Sequence, residues 1–299
     1  MSKMKTMKTK TRMNLVGWGF ALPAVLGFLI FNLFPMLLSG YYSLCDYNII
    51  GKPSWVGLKN YIELLSGHEK TFWISVKATV LYSIMAVPAN LIFAFMIALL
   101  LNRDIKCRAF FRSLFYLPCI LPAVATSFVW LLLMNPDFGL FNTILEFLHL
   151  PKSQFFWGKG SVLPSIVFMG IWGTGSTQVI FLAGLTTISD DLYEAATLDG
   201  ATGWQKIVYI TIPLMKSIFL FAFITDAISS FKIYTEPNIV TAGSGAAPVD
   251  AQPVMNIITN NIKGGNFGSA AAAGWILFVI IFIVSLAQLY FMRDKEGKK

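Results

Sequence analysis

EAATLDGATGWQKIVYITIP, residues 194–213, is a polar island of about twenty residues in a chain otherwise written for lipid. Asp191-x-x-Glu194 has the pattern of a capping box, in which an acidic cap accepts an orphan N–H and Glu reaches back, so a helix is expected to begin there. It is expected to stop at Asp199-Gly200, because glycine enters the left-handed conformation that closes a helix without a Cβ penalty. Thr202-x-x-Gln205 is a second capping-box pattern, opening a short helix that carries Trp204 and Ile207 three residues apart, and Pro213 marks the entry to the next apolar segment. Ala195 and Ala196 offer a small face for another backbone, with Leu192 and Leu198 as apolar anchors. The product is a helix–turn–helix knob, either a docking element or a plain surface loop.

Outward from the island, the chain turns apolar. Of 299 residues, 56% are hydrophobic and 13% charged, against roughly 45–50% and 25% in soluble domains. Six stretches have the roughly 20 apolar residues needed to cross a bilayer: about 15–38, 78–101, 114–134, 161–185, 214–234 and 270–292. The expected fold is all-α, a polytopic membrane protein with six transmembrane helices. The net charge of +8 does not gather on one surface as nucleic-acid binding requires. Instead Lys3, Lys5, Lys8, Lys10 and Arg12 precede the first span, Arg103, Lys106, Arg108 and Arg112 separate the second and third, and Arg293, Lys295, Lys298 and Lys299 follow the sixth. The positive-inside rule places these segments, and with them the 194–213 island, in the cytoplasm. The expected organisation is a basic cytoplasmic N-terminus (1–14), a six-helix membrane domain (15–292) containing a cytoplasmic loop (187–213), and a basic cytoplasmic tail (293–299). Outward loops at about 39–77, 135–160 and 235–269 hold several lysines, among them Lys77 and Lys159, against the general bias.

Inside the spans, Pro88, Pro118, Pro122 and Pro164 require neighbours to satisfy freed carbonyls, which implies helices packed on others. Gly170, Gly173 and Thr177 lie about one turn apart and read as a small-residue face, for helix packing or for a substrate path. Asp226, with Ser229 and Ser230 on the same helical face, is an intramembrane carboxylate and so a functional candidate, facing a wet path or hydrogen-bonded at a subunit interface. Sugar sites need aromatic platforms and hydrogen-bonding groups, and the candidates for a path are Asn90, Trp172, Gln178, Asp226, Ser230 and Tyr234. No phosphate loop of the G-x-x-x-x-G-K-[ST] type occurs, so nucleotide binding by that route is excluded. His68 and His149 are far apart, and Cys45, Cys107 and Cys119 lack ligand or disulfide spacing, so neither metal nor cofactor is expected.

Glu194-Ala195-Ala196, Asp199-Gly200-Ala201, Trp204, Ile210 and Ile212-Pro213 resemble the EAA loop of permease subunits of ABC importers. Arg108-Ala109-Phe110-Phe111-Arg112, Leu117-Pro118, Trp130 and Asn135-Pro136-Asp137-Phe138-Gly139 resemble the third-span region of carbohydrate-type permeases, in particular the first permease of maltose-type or glycerol-phosphate-type pairs. The resemblance implies the type I importer permease fold and a coupling loop that seats in a cytoplasmic ATPase dimer. It also implies a second homologous permease, an extracytoplasmic solute-binding protein, a carbohydrate substrate and residence in a prokaryotic plasma membrane. The chain departs from the family pattern at Ile212, Ser217, Thr235 and the turn 243–248. A glycerol-phosphate-type solute, or an ion-coupled secondary carrier, are the alternatives; a membrane enzyme lacks paired catalytic groups.

Overall fold

The computed structural model describes residues 16–48, 51–66, 70–244 and 251–292. The two basic terminal segments, His68 and the turn at 245–248 lie outside the described residues.

Among the described residues, four helical stretches are long and apolar enough to cross a membrane: α1 (Val16–Ser43), Thr71–Asn102, Lys216–Ala242 and Phe267–Tyr290. Two further apolar helix pairs are bent, Arg108–Ile120 with Ala123–Leu133 at 97° and Val162–Ile171 with Gly175–Leu185 at 47°; each counted as one broken span, the described residues hold six. In chain order, α1 is followed by a two-residue hairpin (β1 Cys45–Asp46, β2 Ser54–Trp55) and by α2 (Lys59–Leu65). Then come α3 (Lys70–Asn102), α4 (Arg108–Tyr116), α5 (Ala123–Leu133), α6 (Leu140–Phe147), α7 (Val162–Ile171) and α8 (Gly175–Leu185). The rest are α9 (Asp190–Leu198), α10 (Gly203–Lys206), α11 (Lys216–Phe231), α12 (Thr235–Ser244), α13 (Val254–Lys263) and α14 (Phe267–Met292).

The third span is therefore not the continuous helix that its apolar run suggests. Pro122 forces Leu121 out of helical geometry, to ψ 139°, and a 3-10 turn at Leu117–Ile120 ends the first half. The fourth span breaks at Trp172–Thr174, so Gly170, Gly173 and Thr177 do not form one continuous face. The glycine that permits close approach is Gly175, where a Cβ would lie 2.7 Å from the Phe115 carbonyl oxygen and 2.9 Å from Cys119 Sγ. α3, by contrast, runs unbroken through Pro88.

Three apolar clusters hold the bundle. One is built on Trp130, Met134, Phe156 and Ile166, and another on Leu64, Phe72, Phe231, Ala272 and Ala273. The third joins α3, α8 and α11 through Phe95, Phe181, Leu185, Met215 and Phe219, with Ile207 of the polar island and Ile188 just ahead of it packed against the cluster. Within it the rings of Phe95, Phe181 and Phe219 meet at centroid separations of 4.7–5.5 Å, in the range favoured by edge-to-face pairs. At the opposite end, Asn60 donates to the carbonyls of Ser43 and Cys45, both at 2.9 Å, and α14 begins against Cys45, where Gly268 leaves no room for a Cβ.

Candidate functional site

The polar island folds as the capped double turn that its sequence predicts, with one correction. The Asp191–Glu194 box does not form, because the chain enters the helix two residues earlier. Ser189 is extended (φ −65°, ψ 136°) and its hydroxyl accepts the Asp191 N–H, so Asp191 is capped rather than capping. α9 closes at Gly200 with φ +79°. There the Gly200 N–H bonds the Thr197 carbonyl at 3.0 Å and the Ala201 N–H bonds the Ala196 carbonyl at 2.9 Å, the paired bonds of a Schellman closure. The second box is complete, with Thr202 Oγ1 accepting the Gln205 N–H and Gln205 Oε1 accepting the Thr202 N–H at 2.7 Å.

α10 is not an isolated short helix. It continues through a π-turn at Ile207–Thr211 and one helical turn at Ile212–Leu214, and reaches α11 after a break at Met215. The wide turn lies just ahead of Pro213, whose missing N–H removes one rung of the ladder. Two bonds invisible in the sequence lock the two arms: Tyr193 Oη to Thr211 Oγ1 at 2.9 Å, and Lys206 Nζ donating to Thr197 Oγ1 at 2.6 Å. Leu192 and Leu198 do not anchor into this chain. Leu198 is 89% exposed, Trp204 72% and Tyr209 75%, while Ile207 turns inward. Between the arms, Ala196, Asp199, Gly200, Ala201, Tyr209 and Ile210 line a shallow cleft of about 310 Å³. Glu194 and Ala195 are exposed beside it.

The second constellation lies deeper in the bundle. Asp226 on α11 accepts from Asn90 Nδ2 of α3 at 2.6 Å and from Thr177 Oγ1 of α8 at 3.0 Å, and Asn90 Nδ2 also approaches Thr177 Oγ1 at 3.3 Å. The carboxylate therefore ties three spans of one chain. Ser230, one turn further on, donates to Ser83 on α3 at 2.9 Å, whereas Ser229 stays exposed and bonds its own helix. Asn90, Asp226, Ser230 and Tyr234 line one polar cavity of about 440 Å³ together with Tyr82, Lys232 and Glu236. Trp172 and Gln178 do not line it. Trp172 stacks edge-on near Trp130, and Gln178 is 1% exposed with its Oε1 unpartnered. Of the small-residue set, Gly170 and Gly173 line the cavity while Thr177 bonds Asp226 beside it; Lys232 and Glu236 carry no path signal in the sequence beyond flanking Tyr234 where the apolar run ends.

The two constellations share their supports. The Phe95–Phe181–Phe219 cluster under the double turn lies on the same three helices as Asn90, Thr177 and Asp226, four to seven residues away, or about 6–11 Å along each axis. The double turn thus packs on the same three helices that carry the Asn90–Thr177–Asp226 network. Among the described residues, no group of three or more His, Cys, Asp or Glu is placed to hold a metal.

Residues 86–296 match the family described as binding-protein-dependent transport system inner membrane component. The chain is 34% identical to the probable ABC transporter permease protein YesP of Bacillus subtilis, over 95% of this chain and 92% of that protein. It is 30% identical to the trehalose/maltose transport system permease protein MalF of Thermococcus litoralis, over 97% and 98%. In fold it is similar to a chain from the crystal structure of a bacterial ABC transporter involved in the import of the acidic polysaccharide alginate, with TM-score 0.78 and 21% identity, covering 97% of this chain and 99% of that one.

Proposed function

The chain belongs to the family of binding-protein-dependent transport system inner membrane components, and from that membership we propose that it is one permease subunit of an ATP-driven importer of a carbohydrate. The observation that carries the coupling role is the capped turn itself. Leu198, Trp204 and Tyr209 expose apolar and aromatic surface on a scaffold that hydrogen bonds hold rigid, and the base of that scaffold packs on the helices bearing Asp226. Exposed aromatic anchors around a cleft suit docking to another protein, here a cytoplasmic ATPase dimer that receives residues 187–213. ATP-driven closure moves the docked turn and shifts the helices between two access states, by as much as the ATPase binds those states differently.

The apolar part of α1 buries none of its residues against the rest of the chain, which supports a second permease as its neighbour. Asn90, Asp226, Ser230 and Tyr234 form the polar side of the translocation path, where hydroxyls of a sugar find acceptors, donors and an aromatic ring. A solute-binding protein delivers substrate on the side away from the double turn, and both termini lie with that turn in the cytoplasm. The carbohydrate class follows the relatives, whose names include trehalose/maltose, lactose and arabinooligosaccharide transport.

The experiment is purification of the tagged chain from native membranes, identification of the attached proteins, and reconstitution in vesicles. Uptake should need internal ATP and survive dissipation of ion gradients, and a mono-, di- or oligosaccharide on the binding protein should stimulate ATP hydrolysis. Uptake that outlasts ATP depletion but collapses with the ion gradient refutes the reading.

A further inference from the structure

Lys77 and Lys159 stand on the membrane face opposite the double turn, against the general bias of the basic residues. Lys77 precedes the end of α3 at Asn102 by 25 residues, about 38 Å of helix, which puts it beyond the roughly 30 Å hydrocarbon core and at headgroup depth. Lys159 lies just ahead of α7, which enters the bundle from the same side. Both lysines are exposed, and neither forms an ion pair or side-chain hydrogen bond with another described residue.

The two cations converge on one groove of about 580 Å³, within the roughly 300–1,000 Å³ of small-molecule sites. Its wall is apolar, with Leu81 and Met85 from α3 and Leu163 and Pro164 from α7, and among the described residues no carboxylate lines it. From Lys77 at its mouth to Met85 the wall follows α3 for eight residues, about 12 Å, against roughly 15 Å for one leaflet of the hydrocarbon core. Leu81 is exposed on the same face of α3 as Pro88 and Ile92, so the groove opens on the apolar exterior and not into the polar cavity. A slot that runs inward from headgroup depth, with two cations at its mouth that no described residue pairs, matches an anionic phospholipid, phosphate outward and acyl chain inward.

We infer that the Lys77–Lys159 groove binds an anionic phospholipid of the leaflet opposite the coupling turn. Titration of the purified full chain with dioleoyl phosphatidylglycerol and dioleoyl phosphatidylcholine, read by native mass spectrometry, tests it. Phosphatidylglycerol should bind more tightly, and Lys77→Gln or Lys159→Gln should each weaken it about fivefold, the pair about thirtyfold, with phosphatidylcholine unchanged. Lys77→Arg should retain binding, and Leu81→Trp, which fills the groove, should weaken both lipids. Equal affinity for the two lipids, or a double variant as tight as the parent, overturns the assignment. So does displacement by inorganic phosphate, which would mark a free-anion site, or loss of the lipid when the transporter assembles, which would mark a protein interface.

Discussion

Replacing Gly200 separates the coupling role proposed for the double turn from that of the membrane body. Gly200 sits at φ +79°, and a Cβ built there meets nothing within 4 Å, so the whole cost of a side chain is backbone strain. An L-residue in the left-handed region costs about 1–2 kcal/mol, and a β-branched one falls toward the upper part of the 1–3 kcal/mol range of strained conformations. At about 1.4 kcal/mol per factor of ten, Gly200→Ala lowers the population of the closed turn about fivefold or more, and Gly200→Val roughly 30- to 150-fold. Asn tolerates the left-handed region, so Gly200→Asn should fall between Gly and Ala. The strain is local, because the Tyr193–Thr211 and Lys206–Thr197 bonds and the Phe95 cluster lie outside the turn. Thermal unfolding should therefore be nearly unchanged while substrate-stimulated ATP hydrolysis and uptake in proteoliposomes fall in the order Gly, Asn, Ala, Val. Uptake by Gly200→Val equal to the parent, or Gly200→Asn as poor as Val, would refute the reasoning.

Asp226→Leu strips Asn90 and Thr177 of their common acceptor and should destabilise the bundle by about 1–3 kcal/mol, whereas Asp226→Asn keeps one acceptor oxygen and should cost less; thermal unfolding of the purified chain decides. Gly268→Ala drives a methyl into the Cys45 carbonyl and should cost about 1–3 kcal/mol by overpacking, while Gly274→Ala, with open space around it, should be near neutral in the same assay. Trp204→Ala with Leu198→Ala removes exposed surface only; the melting temperature should hold while affinity for the ATPase, measured by co-purification, falls at least tenfold, as truncating interface anchors at about 2 kcal/mol or more implies. Thr202→Ala removes a cap worth about 0.5–2 kcal/mol, and hydrogen exchange at Gln205 should accelerate accordingly.

The positions of the six spans, the closure of α9 at Gly200 and the Thr202–Gln205 box were all legible in the chain, because each rests on local chemistry: hydropathy over twenty residues, a glycine free to take positive φ, a hydroxyl three residues from an amide. The first cap was misplaced for the same reason. Two acceptors, Ser189 and Asp191, lie within one turn, and only the observed backbone decides which is outside the helix.

What tertiary structure alone decided is how distant residues meet. Asn90, Thr177 and Asp226 are separated by 87 and 49 positions, and no local pattern signals that an amide, a hydroxyl and a carboxylate will share one bond network. The same holds for the 97° and 47° breaks, where proline or glycine permits a bend but its size is set by what packs behind it, as with Gly175 against Phe115. Sequence by itself determined which segments are long and apolar enough to cross a bilayer and which residues make the polar turn, since water and lipid sort residues one by one. The placing of that turn and a half-buried carboxylate on the same three spans required the packed helices, since side chains far apart in the chain meet only when the bundle closes.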